Sequence, residues 1–532
     1  MSTNIIMKSL RQLRYRYTLF LAIALLLATG ASLDASRTGA QEKRDCPVRV
    51  TLLQLNDVYQ FAPVDGGKNG GLGRVLTWRK KIAAESPHTL FLLAGDTISP
   101  SIESNTYKGK QMIEAWNLLG LDYATFGNHE FDFGPDVLRQ RIAESRFKWL
   151  AANVVDKKTG TLFAGTPEFA IREFEGVKVG IFGIVLRETL QTSRPGPDVD
   201  ILEPCAIAKR VVPKIRAAGA QTIIALTHLA MSDDKALARC SGVDVIIGGH
   251  EHTLLESMSG HAPIFKMTSD ARQLGRIDLN ISKQTGKVES IDWEVIPITD
   301  ADPEDAAFAP MNEKYAALLK ELEQVIGRTS VELDVKSANV RTMETNMADF
   351  IADTYRKAAG ADVALANGGS IRADTTIEPG VLTKRDVLSM LPFNNRVVKI
   401  QITGAILRSA LEWGVASFGE EVQPGRFPQV SGIRYSYDAS RKPGARLVSV
   451  TVNGKPLDDK QTYTLATSSY VAEDAGDGYS MFKGATQLIP KAQQPFESDM
   501  LQKAIQSVPS IAPTVEGRIT RVDSAKSQTT CN

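Results

Sequence analysis

Five short apolar runs in this chain end on a side chain able to bind a metal ion or move a proton. No other feature constrains the fold as strongly. VRVTLLQL (Val48–Leu55) runs into Asn56-Asp57-Val58-Tyr59, and TLFLLA (residues 89–94) into Gly95-Asp96. YATF (residues 123–126) runs into Gly127-Asn128-His129-Glu130-Phe131-Asp132. TIIAL (residues 222–226) runs into Thr227-His228, and VDVII (residues 243–247) into Gly248-Gly249-His250-Glu251-His252. Runs of this length, rich in branched and apolar residues and bounded by glycine or polar groups, read as buried strands. Helices are expected between them at residues 75–84, Lys110–Leu119 and residues 206–218, with a further strand at Val177–Val185. Alternating strands and helices predict an α/β layered domain. Sites in such sheets form just beyond the carboxyl ends of the strands. Of the six histidines, His129, His228, His250 and His252 stand at those ends; histidines scattered for structural reasons would not sort this way.

A chain of 532 residues is too long for one core, so two domains are expected. Residues 291–297 read as the last strand of a first domain spanning 46–300. Asp302-Pro303-Glu304 opens a helix expected to reach about Ile326, with Met311, Tyr315, Leu318, Leu319, Leu322 and Ile326 at helical spacing. This places a stiff linker at 301–330. A second domain at 331–523 brings a helix at Asn346–Ala359, a strand at 362–366 and the glycine turn Asn367-Gly-Gly-Ser-Ile-Arg372. It also carries the hairpin signal Asn453-Gly454. Residues 524–532 form a tail.

Residues 1–40 read as a signal peptide. Lys8, Arg11, Arg14 and Arg16 precede the apolar stretch TLFLAIALLLA (residues 18–28), and small residues follow. The apolar run is short for a membrane span, which needs ~20 residues. Export to the periplasm or the exterior is expected, with an uncleaved anchor as the alternative. Export permits disulfides. Among Cys46, Cys205, Cys240 and Cys531 the pairing Cys205–Cys240 is favoured, and the absence of CxxC argues against zinc-finger or thioredoxin chemistry. A net charge of +1 gives no electrostatic footprint for duplex nucleic acid.

The polar residues at the strand ends suit a pair of divalent metals. Asp96 could bridge them, Asp57 and His252 could serve one, and Asn128, His228 and His250 the other. Imidazole with carboxylate fits Zn, Mn, Fe or Co better than Ca or Mg, and such a pair activates water and clamps phosphate oxygens. His129 is then free to stabilise charge on a phosphoryl group or protonate a leaving alkoxide. Asp132, three residues on, could fix its tautomer. Glu130 has no chemical role here beyond holding the turn.

In that order, NDVY, AGD, GNHEFD, LTH and GGHEH resemble the calcineurin-like metallophosphoesterases, and more narrowly the 5'-nucleotidase family. NGGSIR, LPFNN, FPQVSGIRYSYD and AGDGY resemble that family's C-terminal substrate domain. The resemblance runs from about Val48 to Val522. It implies a four-layer α/β/β/α metallophosphoesterase sandwich, a linker helix and a C-terminal α/β substrate domain. It also implies the metal sets named above, the dyad His129–Asp132 and a substrate-binding Arg372. Phe427 and Tyr470 would sandwich a nucleobase, and Asp477 would make a polar contact near the nucleoside. Arg408 is a further candidate for a substrate arginine. The implied reaction hydrolyses nucleoside 5'-monophosphates to nucleoside and phosphate. UDP-sugars, 2',3'-cyclic nucleotides or a thiosulfonate ester are alternative substrates, and a non-catalytic nucleotide-binding protein is the alternative class. The expected partner is a small phosphate ester, with no nucleic-acid duplex, no membrane span after leader removal, and a monomeric chain.

Two departures from the family pattern stand out. The usual Asp-x-His after the first strand is Asp57-Val58-Tyr59 here, so Tyr59 either ligates a hard metal such as Fe(III) as phenolate or sits beside it. The stretch from Tyr470 to the Gly-Asp-Gly is one residue longer than usual, which shifts the expected ring pair.

Overall fold

The computed structural model describes residues 46–417 and 424–523. The expected signal peptide, Cys531 and the 524–532 tail lie outside those residues. Two six-stranded sheets form the N-terminal domain. In the first, the order is Val288–Pro297, Gln273–Ile281, Val48–Leu55, Thr89–Leu93, Tyr123–Thr125 and Lys148–Leu150. In the second it is Leu255–Ser259, Ala262–Lys266, Val245–Gly248, Thr222–His228, Val177–Val185 and Ala170–Phe174. Strand Val48–Leu55 pairs parallel with Thr89–Leu93, Leu53 opposite Phe91, and antiparallel with Gln273–Ile281, Leu52 opposite Ile277.

Why these segments become doubly buried strands is visible in their alternation. Val50, Leu52, Leu90 and Leu92 point into the space between the sheets, where they meet Val179, Ile181, Ile224 and Ile247. Leu53, Leu55, Phe91 and Leu93 point the other way, onto helices carrying Leu72, Val75, Met112 and Trp116. The result is the expected α/β/β/α arrangement. Each such side chain contributes about 1.5–3 kcal/mol on burial, and a one-residue slip would exchange the two faces. Register is therefore firmly set, and with it the position of each strand's polar end.

The helix expected to reach Ile326 is shorter. It spans Ala309–Leu322 after a 3-10 turn at Ala306–Phe308. Val325–Thr329 is a strand instead, paired antiparallel with Gly380–Thr383. Branched Val325 and Ile326 favour extended backbone, Gly327 disfavours a continued helix, and the pairing satisfies the strand's backbone groups. Nor is this helix a free spacer: the Tyr315 ring lies 5.4 Å from Phe61 and 4.9 Å from Tyr107, and its hydroxyl donates to Glu114 at 2.9 Å.

The C-terminal domain centres on a five-stranded mixed sheet ordered Pro428–Ser431, Val363–Asn367, Thr462–Ser468, Val397–Thr403 and Thr486–Gln487. Helix Asn346–Ala359 covers it, burying Met347, Ile351 and Tyr355 at helical spacing. The Thr345 side chain caps its start, and Gly360 ends it in the left-handed conformation at φ 57°. In the N-terminal domain, Cys205 and Cys240 form a disulfide, and Cys46 is exposed with no disulfide partner among the described residues. No helix of the described residues is long and apolar enough to cross a membrane.

Candidate active site

The strand ends deliver their side chains to one place. Asp57, Asp96, His250 and His252 adopt left-handed backbone at φ 53°, 58°, 92° and 55°. Such clustering of a disfavoured conformation marks sites where surrounding bonds over-determine the chain. Those bonds are visible. His250 N–H donates to Asp57 Oδ2 at 2.8 Å, His129 N–H to Asp96 Oδ1 at 2.8 Å, and Asp57 N–H to the Gly95 carbonyl at 3.0 Å. Gly127 is required beside them, because a Cβ there would strike the Asp96 carboxylate.

One oxygen of Asp57, one of Asp96 and a ring nitrogen of His228 lie within 4.8 Å of one another, all buried. His228 Nδ1 donates to the Ala94 carbonyl at 2.8 Å, which leaves Nε2 facing Asp96 Oδ2 at 3.2 Å. Both His228 Nε2 and Asn128 Oδ1 are buried without a hydrogen-bond partner. Two buried carboxylates beside an unsatisfied imidazole nitrogen and an unsatisfied amide oxygen fit a divalent cation of the first transition row. Electrostatics agree. Burial alone would raise the Asp57 and Asp96 carboxyls, but the neighbouring histidines outweigh it. They hold Asp57 well below the usual carboxylate range and Asp96 at about 2. Burial would lower His228, yet Asp96 and Asp57 push it up to about 10. The pocket calls for positive charge.

His250 stands beside this cluster, its ring 5.2 Å from that of His228. His252 Nε2 lies 3.1 Å from Asp57 Oδ1. Tyr59 occupies the position where the family pattern expects histidine. Its hydroxyl is 2.8 Å from His252 Nε2, 3.1 Å from Asp57 Oδ1 and 3.3 Å from Asp96 Oδ2. Burial, with Asp57 and Asp96 nearby, raises the phenol well above its ordinary value despite Arg372.

His129 Nδ1 meets Asp132 Oδ2 at 2.7 Å, and Asp132 Oδ1 accepts from Ser193 Oγ at 2.7 Å. Nε2 of His129 therefore faces the cavity, 4.0 Å from Asp96 Oδ2. Glu130 organises the turn: its carboxylate accepts from the backbone of Asp96 at 2.9 Å, Thr97 at 2.7 Å, Ile98 at 3.3 Å and Gly127. Burial and Asp96 push this carboxyl up to about 7.

Asp96, Asn128, His129, Asp132, His250 and His252 line a cavity of about 520 Å³ together with residues of the C-terminal domain, among them Arg372, Tyr470 and Asp477. Arg372 Nη2 donates to the Tyr59 hydroxyl at 2.7 Å. Tyr470 and Asp477 are joined by a 3.0 Å bond from the phenol to Oδ1, and the hydroxyl also accepts the Asp477 N–H at 3.1 Å.

The expected sandwich of Phe427 and Tyr470 is not formed. Phe427 is 0% exposed in the C-terminal core, its ring 6.2 Å from Tyr437. It directly precedes the edge strand Pro428–Ser431, and its carbonyl accepts from Gly368 N–H at 2.8 Å. The ring then enters the core, where a large aromatic contributes most. Arg408 likewise stands apart, exposed and bonded to Asp459 at 2.9 Å.

Three residues of the site escaped the sequence reading. Phe393, from the LPFNN motif, lies 5.8 Å ring to ring from His129 and lines the cavity. Arg341 is 5% exposed and lines the same cavity; burial and Arg372 lower its guanidinium to about 10. Nothing in its local sequence signals this. Buried Lys266 donates to the carbonyls of Leu229 at 2.6 Å and Gly249 at 3.0 Å, and pairs with Asp234 and Glu251. It ties together the loops that carry His228 and His250.

Residues 50–254 match the calcineurin-like phosphoesterase family, and residues 325–484 the 5'-nucleotidase C-terminal domain. A snake venom 5'-nucleotidase of Naja atra is 30% identical, covering 88% of this chain and 98% of its own length. The trifunctional nucleotide phosphoesterase protein YfkN of Bacillus subtilis is 31% identical over 89% of this chain, which spans only 35% of that larger protein. The crystal structure of a 5'-nucleotidase precursor from Thermus thermophilus superposes with a TM-score of 0.81 at 30% identity, covering 89% of this chain and 99% of that one. With this relationship extending along both domains, the chain belongs to the 5'-nucleotidase family and is a metal-dependent phosphoesterase of that class.

Proposed function

We propose that the protein is an exported phosphohydrolase using two divalent ions to convert nucleoside 5'-monophosphates into nucleoside and phosphate. One observation carries the reading. Asp96 of the Asp57–Asp96–His228 cluster, Asn128, His250, His252 and the His129–Asp132 pair line one cavity, whose wall also holds Arg372, Tyr470 and Asp477. Asp57, Asp96 and His252, with Tyr59 beside them, would hold one ion. Asp96, Asn128, His228 and His250 would hold the other, with Zn, Mn, Co and Fe as the candidates. When bound, these ions supply Lewis acidity toward the phosphoryl oxygens and the attacking water.

The chain's own residues do the rest. Arg372 pairs with the phosphate. Asp132 accepts the Nδ1–H of His129 and orients the ring. His129 Nε2 then gives its proton to the departing 5'-oxygen as the phosphorus–oxygen bond breaks. Tyr470 offers a ring face to the base and Asp477 a carboxylate to the nucleoside. The proposed boundaries are 46–300 for the catalytic domain and 331–523 for the substrate domain. Export is supported by the charged and then apolar leader and by the Thermus relative's being a precursor.

The test is release of inorganic phosphate from AMP by chelator-treated protein resupplied with Mn or Zn. Activity should return with metal and vanish in His129→Ala; no release from any nucleoside phosphate would refute the reading. The core position of Phe427, together with the similarity to a trifunctional phosphoesterase, favours one second reading: the same chemistry on UDP-sugars or 2',3'-cyclic nucleotides. A substrate panel separates the two.

A further inference from the structure

His228 and His129 each have one ring nitrogen satisfied within the N-terminal domain, by the Ala94 carbonyl at 2.8 Å and by Asp132 at 2.7 Å. His252 does not. Its Nε2 faces Asp57 and Tyr59, while its Nδ1 is buried without a hydrogen-bond partner, in a side chain only 3% exposed. A histidine that offers Nε2 to a cation carries its proton on Nδ1, and that N–H calls for an acceptor.

The carboxylate that approaches it comes from the other domain. Asp374 Oδ2 lies 3.8 Å from His252 Nδ1. Asp374 follows the Arg372 turn and sits in left-handed backbone at φ 51°. Ser337 N–H of its own domain fixes Oδ1 at 2.9 Å, and Ser269 Oγ of the N-terminal domain donates to Oδ2 at 3.0 Å. The carboxylate thus already spans the boundary, about 1 Å short of a hydrogen bond to the ring.

We propose that Asp374 is a positioning residue for His252, a cross-domain acceptor for Nδ1–H that makes metal affinity depend on apposition of the two domains. It rests on the reading of His252 as a metal ligand. His228 and His129 keep their orientation whatever the C-terminal domain does, because their acceptors belong to the same domain. The position served by His252 is complete only when Asp374 is in place. Removing such an outer acceptor weakens metal affinity by roughly 10–100-fold.

Zinc content of the full chain, equilibrated against chelator-buffered free Zn(II), tests this. Wild type should bind two ions. Asp374→Asn, nearly the same shape but a weaker acceptor, should bind one ion as wild type does and the second roughly 10–100-fold more weakly. The unchanged first ion controls for folding. His252→Ala should lose that same second ion, and Asp374→Glu should recover part of the affinity. If His252→Ala loses an ion and Asp374→Asn retains the wild-type isotherm, the role of Asp374 is overturned. If His252→Ala itself binds both ions as wild type does, the ligand reading fails and this inference with it.

Discussion

The hydroxyl of Tyr59 accepts a 2.7 Å hydrogen bond from Arg372 while standing 3.1 Å from Asp57. A phenol thus joins an arginine of one domain to a buried carboxylate of the other. Imidazole binds transition metals as a neutral ligand, whereas a phenol must first lose a proton that this site holds tightly. Tyr59→His should therefore tighten metal retention about tenfold, read as metal content after dialysis against graded chelator. Equal or weaker retention would show that the hydroxyl is the better fit.

His129 and Asp132 should separate in kinetics. His129→Ala should lower kcat by about 10²–10⁴ with bound metal unchanged, since proton transfer contributes that much. Asp132→Asn should lower kcat by a smaller factor, because the ring stays in place but its tautomer is no longer fixed. Loss of metal in either variant would instead make the pair structural.

Glu130 satisfies four backbone N–H groups beneath the site. Glu130→Ala leaves them buried and unpaired. At about 1–3 kcal/mol for each orphaned group, it should destabilise the protein by at least roughly 4 kcal/mol in denaturant unfolding. Glu130→Gln, which keeps an acceptor oxygen, should cost less.

A second buried glutamate gives a pH signature away from the metals. Glu497 accepts from the Tyr355 hydroxyl at 2.6 Å, and burial pushes its carboxyl up to about 7 from an ordinary 4.5. Between those values the folded chain holds a proton that the unfolded chain has released. Stability from this group is thus complete below about pH 4.5 and is lost as pH rises through 7. Glu497→Gln should remove that slope, worth roughly 3 kcal/mol across the window. Thermal unfolding of both proteins from pH 4 to 8 measures the difference, and parallel profiles would contradict it.

How much was legible beforehand follows from the range of each interaction. Strands such as Val48–Leu55 and Val177–Val185 were readable with their bounds, because both faces are almost wholly buried and branched or apolar residues dominate each run. Asp57, Asp96 and Asn128 were readable as a set because they follow three neighbouring parallel strands, and His228 because it ends a buried strand in the same way. Ile326 was misplaced because a helical spacing and a strand partner compete, and the partner, Gly380–Thr383, lies far along the chain. Phe427 was misplaced because an aromatic in a motif carries no sign of which way its ring turns.

By itself, the sequence determined the layered α/β architecture, the order of the ligand-type residues and the His129–Asp132 pair, all of which depend on local periodicity and short spacing. Only the tertiary structure decided what faces what across distance. It sent Phe427 into the core, brought Arg341 and Phe393 to the cavity, placed Lys266 under the histidine loops, and set Asp374 opposite His252. Those outcomes depend on packing between segments far apart along the chain, within a domain for Phe427 and Lys266 and between domains for Asp374, and local sequence does not encode the relative placement of such surfaces.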